Sequence, residues 1–250
     1  MHNPQSCLSV DFDEFLKTGF HLKEHLAQYL QLSIKDIEKL LPQSSKDLAS
    51  LHPGGFNSDN ATSFYEDEVG TAHLLELAAW HLGSADYILD TLRLQQMFAH
   101  GQVLDFGGGI GTHALAAAAM KQVDHVWFVD LNPNNRKFVQ QRASLLGLSD
   151  CISFHRDLKS AGEIVFDTIV CLDVLEHLAD PSAQIIKFHQ RLSPESVAIL
   201  NWYFFKGFNG EYPFHFDDPS MINSFFKVLQ NKFIEVFHPY LITTRVYKPI

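Results

Sequence analysis

Four acidic side chains in the middle of the chain sit within or just after short apolar runs, spaced as carboxylates that share one polar ligand would be. Val103-Leu104-Asp105-Phe106 runs into Gly107-Gly108-Gly109-Ile110-Gly111-Thr112, with four glycines in five positions. Glycine adopts positive φ freely and lets a ligand approach bare backbone. An alanine-rich stretch, His113 to Met120, follows at once. The reading is strand, tight turn, helix, with unpaired helix N–H groups facing the turn. By itself the pattern also fits a tight connection that binds nothing. About twenty residues on, His125-Val126-Trp127-Phe128-Val129 ends in Asp130, where a carboxylate accepts from both hydroxyls of a ribose. Asn132-Pro133 follows, so Asp130 also suits a helix N-cap. Ile152-Ser153-Phe154-His155 leads to Asp157, which suits an exocyclic amine of adenine and a surface turn equally. Phe166 to Leu172 runs into Asp173-Val174-Leu175-Glu176-His177-Leu178-Ala179-Asp180-Pro181. That places polar groups beside the first strand, at the switch point where open α/β sheets bind ligands.

Carboxylates at successive strand ends need an alternating frame, and the second half of the chain has one. Strands read at 102–106, 125–130, 151–155, 166–172, 196–204, 233–239 and 242–248. Helices fall near 112–121, 134–146, 180–192 and 217–231. Such alternation predicts a parallel sheet covered on both faces. The last two strands are joined only around Pro239 to Ile242, too short a link for a parallel crossover, so that pair is read as antiparallel.

The first hundred residues read as helical. Asp11 and Asp13 stand at capping positions, Ser33 caps a second segment, and Pro42 is expected to end it. Residues 52–60 read as a loop, and 61–98 as a second helical block broken at Gly83-Ser84. His21, Glu24 and His25 spell His-x-x-Glu-His, a zinc-peptidase pattern in inverted order. No third ligand follows downstream, so a solvated helix face is the preferred account.

Composition narrows the partner. The formal net charge is −10 and no basic run occurs, which argues against nucleic acid. The three cysteines, Cys7, Cys151 and Cys171, form no disulfide framework and fit a reducing compartment. No signal peptide or membrane span is read, so the expected setting is cytoplasmic. Oligomeric state is left open.

In their order and spacing, Asp105-x-Gly107-x-Gly109-x-Gly111, Asp130, Asp157 and the Asp173 to Pro181 segment resemble the class I S-adenosylmethionine-dependent methyltransferases. The likeness points to the small-molecule branch that includes ubiquinone and menaquinone biosynthesis methylases. It is strong over residues 100–181, continues as topology to the terminal hairpin, and covers the first hundred residues only as a variable cap. It implies an α/β fold: a Rossmann-like, mostly parallel seven-stranded sheet with an antiparallel C-terminal hairpin. It divides the chain into a helical cap or lid, 1–100, and a catalytic domain, 101–250.

The resemblance also implies roles. Gly107 and Gly109 would hold the methionine end of S-adenosylmethionine, with Asp105 beneath, ordering the turn or reaching the amino group. Asp130 would bind the ribose, with Leu131 packed on the adenine. Asp157 would meet the adenine amine beside Leu158. The backbone at Leu172 and Asp173 would face the methionyl amine, and Tyr65 would close over the carboxylate. His177 is the leading general-base candidate and His215 the second. The segment Tyr203 to Phe216, with seven aromatics, would line the pocket of an apolar or aromatic acceptor. An equal alternative is that these rings seat the loop on the cap. His215, Asp217 and Asp218 form a weak metal-ligand grouping, and the reading adopted places no metal.

The function expected is methyl transfer to a small organic acceptor at oxygen, nitrogen or carbon. A nicotinamide-dependent oxidoreductase is disfavoured, because the later third glycine of the dinucleotide fingerprint and a Tyr-x-x-x-Lys pair are both missing. A cofactor-binding partner or regulator that transfers no methyl is the non-enzymatic alternative.

Overall fold

Helix signals in the entry region are local and mostly obeyed in the structure, a computed structural model that describes residues 11–51, 55–240 and 242–250. The helices are α1 (Phe12–Thr18), α2 (Leu22–Leu30), α3 (Ile34–Leu40), α4 (Ser44–Ser50), α5 (Ala61–Ser63), α6 (Ala72–Gly83) and α7 (Ala85–Phe98). Asp11 caps α1 by accepting from the N–H groups of Asp13 and Glu14, and Ser33 caps α3 by accepting from Asp36. Pro42 ends α3 as the sequence suggested, since the helix stops at Leu40. It sits in a 3₁₀ turn, Leu41–Gln43, that carries α3 into α4, where a missing N–H is tolerated in a first turn. After α5 the chain widens into a π-turn, Phe64–Glu68, that carries Tyr65.

The sheet strands are β1 (Gly101–Phe106), β2 (Val123–Val129), β3 (Ile152–His155), β4 (Phe166–Cys171), β5 (Leu192–Leu200), β6 (Phe233–Phe237) and β7 (Arg245–Pro249). They form one seven-stranded sheet in the order β3-β2-β1-β4-β5-β7-β6. β1 to β5 pair in parallel, while β7 runs antiparallel to both β5 and β6. The expected antiparallel terminal pair is present, with the last strand inserted beside β5. β5 begins and ends four residues earlier than its apolar run suggested, because Leu192 already pairs with Phe166 and the sheet closes at Leu200.

Helices α8 (Thr112–Ala118), α9 (Pro133–Leu145), α10 (Pro181–Gln190) and α11 (Pro219–Lys232) cover the sheet. Val103, Val126, Phe128 and Val170 pack with α8 and α9, whereas Leu104, Ile169, Ala198 and Leu200 pack with α10 and α11. Alternate residues of one strand therefore enter different cores. Asn132, Asp180 and Asp218 cap α9, α10 and α11 with side-chain oxygens, each followed by proline. Helix α8 has no side-chain cap, so its first N–H groups stay directed into the turn after β1.

The entry helices pack across this frame through Leu22, Leu26, Ile37, Leu74 and Ala78, which meet Ile110 and Phe138. Arg142 of α9 fastens them. Its side chain is fully buried, and it donates to the carbonyls of Ile110 (2.7 Å), Gly19 (3.0 Å) and Phe20 (3.1 Å). Its Nε donates to His25 Nδ1 at 3.3 Å. His25 is therefore buried, and the solvated face expected for His21, Glu24 and His25 holds at His21 and Glu24 but is corrected at His25: burial and Arg142 hold the His25 pKa down at about 4. No helix of the described residues is long and apolar enough to cross a membrane.

Replacing Arg142 with Ala is expected to cost about 3 kcal/mol or more, since charged hydrogen bonds are lost and buried carbonyls orphaned. Urea unfolding checks this, and cleavage near Gly19 should appear first in limited proteolysis. Unchanged stability would contradict the anchoring role.

Candidate active site

Strands β1 and β4 are neighbours, so their carboxyl ends bring the glycine turn and the Asp173 segment together. Gly107 (φ +71°) and Gly109 (φ +55°) adopt the left-handed region. A Cβ on Gly107 would lie 2.5 Å from Val174, and one on Gly109 would lie 2.9 Å from Leu77 of α6. Both glycines are thus demanded by the loop after β4 and by the cap, as well as by backbone conformation. Asp105 is buried beneath Gly108, with its Oδ2 lacking a partner.

Asp130 turns inward. Its Oδ2 accepts from the Gly109 N–H at 2.9 Å, and its Oδ1 accepts from the Asn132 N–H at 2.8 Å and Asn135 Nδ2 at 3.2 Å. Asn132, not Asp130, caps α9, accepting from the Asn134 N–H. Arg136 Nη1 donates to the carbonyls of Asp130 and Leu131 at 2.5 and 2.8 Å, and Leu131 itself is half-buried. Asp157 holds a local turn by accepting from the Ser160 N–H at 2.8 Å and pairs with Arg156 at 2.7 Å. Arg156 in turn grips Glu66 of the cap through both oxygens. Leu158 enters the core under α10 and α11. The structure therefore joins Gly107, Gly109, Asp105 and Asp130 in one turn and spends the Asp157 carboxylate on neighbours in its own loop and on a rim pair.

At the tip of β4, Leu172 is half-buried and Asp173 has φ +54°, an uncommon conformation for a residue with a Cβ. Asn201, just beyond β5, holds it from both sides. Asn201 Oδ1 accepts from the Asp173 N–H at 2.5 Å, and its Nδ2 donates to Asp173 Oδ1 at 2.9 Å and to Tyr87 Oη at 2.8 Å. Sequence reading missed Asn201, although a polar residue straight after an apolar strand was its signal. It also missed Glu176, which is only 1% exposed and has an unpartnered Oε2.

His177 and His215 are brought face to edge, with ring centroids 4.7 Å apart. His177 Nδ1 lies 2.9 Å from both the Phe214 carbonyl and the Tyr65 hydroxyl, and His215 Nδ1 lies 3.1 Å from the Phe205 carbonyl. Tyr65 thus reaches the base candidate directly. Of the aromatic segment, Phe214 and Phe216 seat the loop on Phe56 and Phe64 of the cap, and Phe204 joins the sheet core. Tyr203 and Tyr212 remain around His215, with Tyr212 stacked on it at 5.1 Å. Asp218 caps α11 and Asp217 faces Lys206, so neither joins His215 in a ligand set.

Burial sets the electrostatics. It pushes Glu76 and Asp105 up to about 7, with Asp130 adding to the rise at Asp105. It raises Asp130 and Asp173 to about 6, and Glu176 to about 8 with help from Asp173. Burial lowers His177 to about 3 and also lowers His215, so both imidazoles are neutral near pH 7. Tyr65 feels Glu76, Glu176 and Asp130 together, so these carboxylates lie near one another where the cap meets the sheet.

A methyltransferase-domain family model matches residues 80–204, half of the chain. The chain belongs to the class I S-adenosylmethionine-dependent methyltransferases. Among similar proteins, a ubiquinone biosynthesis O-methyltransferase of Psychrobacter arcticus is 30% identical over 106 residues, covering 40% of this chain and 40% of that protein. An uncharacterised protein of Synechococcus sp. is 28% identical over 121 residues, covering 47% of this chain and 28% of the other. The chain thus spans well under half the length of the curated relatives it matches. The solved mitomycin 7-O-methyltransferase superposes with a TM-score of 0.56 at 12% identity, covering 83% of this chain and 68% of that one, a likeness of fold.

The cofactor of this methyltransferase family fits the residues present. S-adenosylmethionine carries a sulfonium and an ammonium, and the crevice offers buried carboxylates, one of them with an unpartnered oxygen at Asp105. The glycine turn and the uncapped start of α8 supply bare backbone N–H groups beside them.

The raised carboxylates have a consequence for the methyltransferase without ligand. Above about pH 7.5, a unit beyond the unfolded histidine pKa of 6.5, the buried histidines no longer change stability appreciably with pH. Asp105, Glu76 and Glu176 still bind more protons folded than unfolded, because their pKa values are raised to about 7 or 8. Stability should therefore fall from about pH 7.5 to about 8.5. Thermal melts across that range check it, and a rising Tm would contradict it.

Proposed function

We propose that this protein transfers the methyl group of S-adenosylmethionine to a small organic acceptor, with a hydroxyl oxygen as the first acceptor to test and nitrogen or carbon as the others. The observation that carries the reading is the crevice itself: a glycine turn and buried carboxylates at the β1 and β4 tips, bordered by two neutral histidines. The printed names of two similar proteins, a ubiquinone biosynthesis O-methyltransferase and a mitomycin 7-O-methyltransferase, favour oxygen. The formal net charge of −10 favours a small acceptor over a polyphosphate one.

When bound, S-adenosylmethionine supplies an electrophilic sulfonium methyl: the acceptor oxygen forms the new bond to carbon as the carbon–sulfur pair returns to sulfur. The chain supplies position and charge. Gly107, Gly109 and the backbone at Leu172 and Asp173 hold the methionine portion. Asp130 accepts from the ribose with the Oδ2 lone pair that Gly109 leaves free, Asn132 and Asn135 occupying Oδ1. Leu131, Leu158 and Asp157 border the adenine. His177, neutral and with Nδ1 turned to the Phe214 carbonyl, presents Nε2 to the acceptor proton, and His215 stands beside it. Residues 1–100 act as a lid over the domain at 101–250, and Tyr65 brings that lid to the histidine. Tyr203 and Tyr212 offer an apolar or aromatic acceptor its walls.

Turnover of methyl-labelled cofactor with a panel of phenols, catechols and small hydroxy acids tests the reading. Cofactor binding with no labelled product from any acceptor would favour a non-catalytic partner or regulator. Asp130→Ala should weaken cofactor binding by about 1.5–3 kcal/mol, measured by calorimetry. Equal affinity would remove Asp130 from the ribose site. His177→Ala should lower kcat about 100-fold while leaving cofactor affinity within about two-fold. A normal kcat would return His177 to packing.

A further inference from the structure

One donor atom from each of Glu176, His177 and His215 lies within 4.8 Å of the other two. Ligands held about 2.0–2.2 Å from one ion stand about 3–4 Å apart, so small side-chain rotations would close the set. We propose that these three residues hold a divalent transition-metal ion at the acceptor end of the crevice.

Glu176 is almost wholly buried, no Lys or Arg pairs with it among the described residues, and its Oε2 has no hydrogen-bond donor. A buried carboxyl oxygen with neither donor nor acceptor beside it is a place where a cation would displace the carboxyl proton. The two imidazoles are oriented for the same task. A backbone carbonyl has no proton to give, so the contacts to Phe214 and Phe205 put the proton on Nδ1 of each ring. Each Nε2 then keeps its lone pair, the arrangement that prepares a histidine for a metal. The loop that carries His215 is also tied to the Glu176 turn, since the Phe216 N–H donates to the Glu176 carbonyl at 2.7 Å.

Two imidazoles and one carboxylate select zinc, iron, cobalt or manganese over magnesium or calcium, and leave coordination positions open. His177 and His215 are only partly buried, so those positions can be reached. The ion's role rests on the methyl-transfer reading above. It would take the acceptor's hydroxyl oxygen, lower its pKa and let the proton pass to solvent, giving an alkoxide or phenolate. In that arrangement His177 orients the acceptor through the ion.

The test is calorimetry on the full chain after EDTA treatment, without cofactor or acceptor, using zinc chloride, with magnesium chloride for contrast. One equivalent of zinc should bind with micromolar or tighter affinity and magnesium should not saturate. Glu176→Gln and His215→Ala should each weaken zinc at least ten-fold, with circular dichroism unchanged. His215 lies at the partly open edge, so its variant decides the matter if Glu176→Gln does not fold. No saturable zinc, or unchanged affinity in His215→Ala, overturns the inference. Methyl transfer at full rate in EDTA overturns the ion's proposed role and leaves the methyltransferase reading intact. Zinc binding in a protein that transfers no methyl to any acceptor does the reverse.

Discussion

A set of buried carboxyl groups is the constraint around which this molecule is arranged. Burial holds the carboxyl groups of Asp105, Asp130, Asp173, Glu176 and Glu76 above their ordinary range. A core would not gather such groups for stability, because each ionised carboxylate out of water is costly. The chain reduces the cost locally. Gly109, Asn132 and Asn135 donate to Asp130, and Asn201 donates to Asp173. Asp105 and Glu176 each keep an oxygen without a donor. The arrangement makes sense as half of an interaction whose other half is cationic. Strand topology puts it there, since parallel neighbours deliver their carboxyl ends to one edge of the sheet.

The cap is fitted to the same edge. Leu77 lies over Gly109, the Gly70 carbonyl accepts from Asn132 Nδ2 at 2.9 Å, and Tyr65 meets His177. These ties differ in strength. The Glu66–Arg156 pair at the rim is exposed, and such pairs contribute only about 0–1 kcal/mol. Arg142, at the other side, is buried with three carbonyl partners. Loosening that admits a ligand therefore costs least at the rim near Asp157, while the α1–α2 corner stays fixed.

What could be read from the sequence was what is local. The β1 apolar run, the four glycines and Asp130 lie within about thirty residues and obey short-range rules of strand, turn and cap. The parallel frame followed from periodicity, and the antiparallel end from the length of one connection. What could not be read depends on contacts far apart in the chain. Arg142 looked like an ordinary helix arginine, yet it reaches Gly19 and Phe20. His25 looked solvated because its partner is more than a hundred positions away. The ring order at the acceptor end was equally hidden: Phe214 and Phe216 share a segment with His215 but point to the cap.

That last sorting bears on specificity. The aromatic run after β5 promised seven rings around an acceptor, but the fold allots them to different tasks. Phe204 goes to the sheet core, Phe214 and Phe216 clamp the cap, and Phe208 projects into solvent at 94% exposure. Phe205 packs between Tyr203 and Phe208, and Tyr203 and Tyr212 are left beside His215, a small polar-edged wall in place of a deep apolar one. A long hydrocarbon would gain little there, because few apolar atoms remain to cover it. For the acceptor class proposed above, a planar ring bearing a hydroxyl would gain twice, stacking on tyrosine and offering its oxygen to the two imidazoles. Under the reading proposed above, the position of an acceptor hydroxyl beside His215 would count for more than the apolar surface the acceptor hides.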